Sequence, residues 1–69
     1  MKDAKYPRYA VPKWSNHHYI KLDGKHEYVY CIDSQTRDVF NYGRSHVFYE
    51  NVRNGHWIEI EEHELALRI

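Results

Sequence analysis

Apolar and polar residues alternate along positions 17–32 (HHYIKLDGKHEYVYCI) on both sides of an Asp23-Gly24 pair. A period of two marks a strand with one buried face, and Asp-Gly between two such runs is the strongest short-range hairpin signal. A two-residue turn there sets Leu22 opposite Lys25, Ile20 opposite Glu27 and His18 opposite Val29. Lys21, Tyr19 and His17 then stand opposite His26, Tyr28 and Tyr30. One face of this hairpin carries Ile20, Leu22, Val29 and Cys31. The other carries three tyrosines with His17, His26 and Lys21.

Positions 33–36 (DSQT) cluster turn formers, and 37–42 (RDVFNY) resume the strand pattern. A four-residue loop pairs Ile32 with Arg37 and Val29 with Phe40, which brings Phe40 onto the aliphatic face. Positions 45–50 (SHVFYE) read as a fourth strand, with Val47 and Tyr49 on one side and His46 and Phe48 on the other. Positions 51–55 form a loop whose Asn54-Gly55 suits positive φ, and 56–60 (HWIEI) form a fifth strand. The stretch 61–68 has acids first and Arg68 last, the charge order that a short helical turn favours. Positions 1–16 contain Pro7 and Pro12, which predict an extended arm rather than a helix. Tyr6, Tyr9 and Trp14 interleave there with Lys5, Arg8 and Lys13. Tyr9, Val11 and Trp14 are expected to lie over the sheet and complete the core; the alternative is an arm that reaches onto a partner.

The pattern predicts a mainly all-β fold: a five-stranded antiparallel meander curled into a small barrel, with an extended arm over 1–16, a single small β domain over 17–69 and a short C-terminal helical turn. Curling removes exposed sheet edges. The segment WIEI at 57–60, running into a turn with Glu64-Leu65, resembles the last strand of SH3-like barrels, and that resemblance implies an SH3-like closure.

Composition sharpens this picture. A 69-residue chain buries only about 60% of the surface its unfolded form exposes, so its core is thin and needs reinforcement. Cys31 is the sole cysteine, which excludes an intrachain disulfide and a Cys-rich zinc site. Seven tyrosines, two tryptophans and two phenylalanines leave aromatic packing, or a homodimer, as the reinforcement. A lone strand cysteine suits a reducing compartment, and no apolar run resembles a signal peptide or a membrane span, so a cytoplasmic location is expected. Ten basic and ten acidic residues cancel, which argues against a dominant nucleic-acid footprint. Residues 1–30 hold six basic and three acidic side chains, while 45–69 hold two basic and five acidic. Such polarity serves either a partner or the pairing of one end of the chain with the other.

Six histidines are the unusual compositional signal, yet no HxH or HxxxH spacing occurs, so no metal is expected. His18 should point away from His17 and His26. The three serines sit at turns or strand ends, Cys31 lies mid-strand, and the glycines are scattered rather than gathered in a phosphate loop. No enzymatic activity and no cofactor are therefore expected. Binding fits better: Tyr19, Lys21, His26, Tyr28 and Tyr30 form the expected partner site, with Trp57 or Trp14 as a further anchor. The expected function is that of a small protein-binding module, an inhibitor or accessory regulator of a host protein of the kind phage and mobile elements encode. The alternative is single-stranded DNA or RNA stacked on the same face, aided by Lys5, Arg8, Lys13 and Lys21.

Overall fold

The computed structural model describes residues 6–68. Its elements run β1 (Arg8–Pro12), β2 (His18–Asp23), β3 (Tyr28–Asp33), β4 (Val39–Arg44), α1 (Ser45–Arg53), β5 (Trp57–Ile60) and α2 (Glu62–Arg68). The five strands form one antiparallel sheet in the order β4-β3-β2-β1-β5. The protein is mainly β, and its sheet is open, with β4 and β5 as the edges. Among the described residues no helix is long and apolar enough to cross a membrane.

Two expected elements change identity. The proline-bearing arm supplies β1, which lies inside the sheet between β2 and β5. Lys13 donates its backbone N–H to the His56 carbonyl on the β5 side. By alternation the ring nitrogen of Pro12 faces the β2 side, beyond the last β1–β2 pair at Ala10 and Ile20. The second change is SHVFYE, expected as a strand, which opens helix α1. Val47, Phe48, Asn51 and Val52 recur at helical spacing, and Val47, Phe48 and Val52 pack on the core. The Asn54-Gly55 signal belongs to this helix end. Gly55 takes φ 80°, its N–H bonds the Val52 carbonyl, and His56 N–H bonds the Asn51 carbonyl, a Schellman closure that needs a left-handed residue at Gly55.

The first hairpin keeps its predicted faces but not its register. Leu22 stands opposite Val29 rather than Lys25, and Ile20 opposite Cys31. The turn spans 24–27, with Glu27 rather than Asp23 or Gly24 as the left-handed residue. Gly24 is needed for a different reason: the Tyr6 ring lies against it, and any Cβ there would collide with that ring. Tyr6 in turn hydrogen-bonds Tyr49 of α1 through the two hydroxyls at 2.6 Å. The second hairpin pairs Ile32 with Val39 and Cys31 with Phe40, held by Asp33, whose carboxylate accepts the N–H groups of Gln35 and Thr36. The first slip is even-numbered throughout β2 and β3 and the second is even as far as Asn41, so the paired side chains up to that point keep their faces.

Ala10, Ile20, Leu22, Val29, Cys31, Phe48 and Trp57 make the core, on the sheet face beneath α1. A flat sheet would hold its outermost strands about 19 Å apart. Tyr42 of β4 and Trp57 of β5 nevertheless meet edge to face, ring centroids 5.4 Å apart, and Trp57 also packs on Phe48 at 6.1 Å. The sheet therefore curls around the core, and aromatic side chains rather than backbone ladders bridge its two edges. Arg8 closes the open rim. Its guanidinium forks onto Glu59 at 2.7 and 2.8 Å and lies over the Phe48 and Tyr49 rings.

Replacing Phe48 by Ala should cost about 3–5 kcal/mol. A domain of this length holds roughly 3–10 kcal/mol in all, so urea titration followed by circular dichroism should find the variant largely unfolded or shifted to a much lower midpoint. Burial, with a smaller contribution from Asp33, raises the Cys31 thiol pKa above its ordinary value. A folded pKa above the unfolded one leaves stability intact below the unfolded pKa and erodes it as pH rises beyond. Cys31 should accordingly resist a disulfide reagent at neutral pH in the native protein and react at once in urea.

Candidate functional site

The face opposite α1 is built by alternation from all five strands. One cross-strand row runs Ile60, Tyr9, Lys21, Tyr30, Asn41, and a neighbouring row runs Asp23, Tyr28, Arg44. The Tyr28 and Tyr30 rings stand 6.5 Å apart at 67°, and the Arg44 guanidinium lies 5.1 Å over the Tyr28 ring. Lys21, Tyr28 and Tyr30 are half-buried, their rings and stem in the surface.

Three other expected site residues are not part of this open platform. Tyr19 is buried: its hydroxyl donates to the carbonyls of Asn16 and Arg68, tying α2 to the end of this face. Trp57 is 2% exposed and belongs to the core, because β5 presents it to α1. His26 is exposed in the 24–27 turn, displaced from Lys21 by the register slip. Of the expected basic contributors, Arg8 is committed to Glu59, Lys13 is exposed beyond β1, and Lys5 lies outside the described residues.

Sequence reasoning missed the edge. Every residue of β4 but Gly43 is exposed, including Val39 at 60%, Phe40 at 47% and Tyr42 at 41%. Val39 shares the tyrosine face with Ile32, whereas Phe40, opposite Cys31, and Tyr42, against Trp57, lie on the core face and stay exposed there. Phe40 thus joins the aliphatic face as expected while staying open to solvent. The signal that could have found this is the ratio of elements: one nine-residue helix, about 13.5 Å long, cannot roof five strands. A bulge at Tyr42, between the pairs Tyr30–Asn41 and Val29–Gly43, bends the outer end of this edge.

A cleft of about 260 Å³ lies between α2 and the end of β3, lined by Tyr19, Ile32, Asp33, Ser34, Arg37 and Leu65. It is smaller than ordinary ligand pockets, which occupy roughly 300–1,000 Å³. Beside it, His17, His18 and Asp33 bring ring nitrogens and a carboxylate oxygen within 4.8 Å of one another. The expected opposition of His17 and His18 does not hold, because His17 precedes β2 and escapes strand alternation. Hydrogen bonds from Thr36 N–H foremost, and from Gln35 N–H, lower the Asp33 pKa below the usual carboxylate value, the nearby imidazoles adding to this. No protein-family model, curated protein or solved structure matched the chain.

Replacing Tyr28 and Tyr30 together by Ala should leave a cooperative thermal transition, lowered far less than by Phe48→Ala. Loss of the transition in a calorimetric scan would mean that these rings hold the fold rather than offer a surface.

Proposed function

We propose that this protein is a non-enzymatic binding module that receives an extended segment of another protein along β4, with the Lys21–Tyr28–Tyr30 face as the adjoining platform. The observation that carries this reading is the apolar edge. A sheet edge presents unpaired N–H and C=O groups, and β4 adds exposed Val39, Phe40 and Tyr42 on alternate faces. Main-chain pairing supplies affinity in such recognition, and side-chain surfaces on either side of the added strand supply specificity. Tyr28 and Tyr30 offer large area at low rotamer cost with a polar tip, the character of an interface anchor. A zero formal charge favours a peptide over a polyanion.

Single-stranded nucleic acid is the second reading, favoured by the Arg44 guanidinium over Tyr28 and by Lys21 in the neighbouring row. Salt separates the two. Binding of nucleic acid should weaken steeply between about 50 and 200 mM salt, whereas an apolar strand contact should change little.

The test is selection of peptides from a displayed random library against the full chain, followed by amide NMR of the best binder. New hydrogen-exchange protection and shifts confined to residues 39–44 and to Tyr28 and Tyr30 are expected. Val39→Lys together with Phe40→Ser should weaken binding by at least about 10-fold while the thermal midpoint holds. Shifts clustered elsewhere, or affinity only for an oligothymidine that fades with salt, would overturn the peptide reading.

A further inference from the structure

At the end of the sheet farthest from the 24–27 turn, His18 of β2 stands directly opposite Asp33 of β3. His18 Nε2 lies 3.3 Å from Asp33 Oδ2, and His17 Nε2 lies 3.9 Å from the same oxygen. The two imidazole centroids are 4.3 Å apart. Ligands held at 2.0–2.1 Å on a tetrahedral ion sit about 3.3–3.4 Å from each other; the His18–Asp33 spacing already matches this, and the ligand atoms of the three residues all lie within 4.8 Å of one another.

The surroundings orient each group toward that centre. Ser15 Oγ contacts His18 Nδ1 at 2.6 Å and His17 Nδ1 at 3.3 Å. The same oxygen accepts the His17 backbone N–H at 3.3 Å, so its two lone pairs serve that N–H and the closer ring nitrogen, Nδ1 of His18, giving His18 the second partner that ligating imidazoles use to fix tautomer and ring plane. Asp33 Oδ1 is held by the N–H groups of Gln35 and Thr36, leaving Oδ2 to the imidazoles. Ser34 donates its backbone N–H and its hydroxyl to the His17 carbonyl, which clamps the two chain segments together. Trp14 packs on His18 at 4.7 Å. Ser15, His18 and Asp33 also have the membership of a hydrolytic triad, but the ring is reversed: serine meets Nδ1 and the carboxylate meets Nε2, opposite to the arrangement that serves acyl transfer.

We propose that His17 Nε2, His18 Nε2 and Asp33 Oδ2 form a binding site for a divalent first-row transition ion, with zinc the best fit. Two neutral imidazoles and one carboxylate suit that ion class, and three protein ligands leave a coordination position for water or a side chain of a bound partner. The site is independent of the β4 edge and stands or falls apart from the peptide reading.

The experiment is isothermal titration of the untagged, chelator-treated full chain with Zn²⁺, paired with Co²⁺ absorption as a report on coordination geometry. One ion per chain and a raised thermal midpoint are expected, with a tetrahedral Co²⁺ spectrum. His18→Ala and His17→Gln should each lower affinity by at least about 10-fold, and Ser15→Ala by about 10- to 100-fold. His26→Ala, in the exposed turn at the other end of the sheet, should change nothing. Asp33 also shapes its turn, so the half-exposed His17 provides the variant least able to harm the fold. Absence of binding by the native chain, or equal binding by the native and His17→Gln proteins, would overturn the proposal.

Discussion

The structure depends on Phe48 and the short helix that delivers it. Phe48 is fully buried against the curled sheet, touching Trp57 from one edge strand while Arg8 of β1 lies over its ring. A thin core gains most from a few large rings that each touch several elements, because their apolar area leaves water at little cost in rotamer entropy. The crossover from β4 to β5 then has a physical purpose. Helix α1 carries the chain from one sheet edge to the other, and its apolar stripe fills the concavity on the way.

The first hairpin was legible in its faces because alternation survives any even slip of register. Its turn was not, since the Asp-Gly signal assumes that local dihedral preference decides the loop. Here Tyr6, from a segment remote in sequence, covers Gly24, and the left-handed position moves to Glu27. Strand β1 was legible as extended chain but not as sheet: two prolines argue against a central strand until the end of its β2 ladder is known. For SHVFYE, strand propensity and helical spacing coexist within six residues, and tertiary packing decides. The following Asn-Gly pair was the deciding hint, since it closes a helix as readily as a hairpin.

The candidate surface divides in the same way. Tyr28, Tyr30 and Lys21 follow from period two alone and share the face opposite α1. Tyr19 shares it as well but lies under α2, and nothing local to Tyr19 reports that the last helix folds back across it. The histidine and aspartate cluster was hidden because His17 sits just outside β2 and Asp33 on another strand. Spacing rules find ligands that share one element; this set is assembled by pairing across two.

The bulge at Tyr42 has a bearing on colloidal behaviour. An apolar sheet edge tends to recruit copies of itself into growing assemblies, a hazard that folded proteins blunt with short or distorted edges. In β4 the regular ladder with β3 covers Val39, Phe40 and Asn41 before the register shifts. Only this short stretch offers evenly spaced backbone groups outward, enough to seat a brief segment but too little to template an extending stack. The kink that interrupts the strand thereby lets a sticky edge remain uncovered in a chain with no net charge to keep its copies apart.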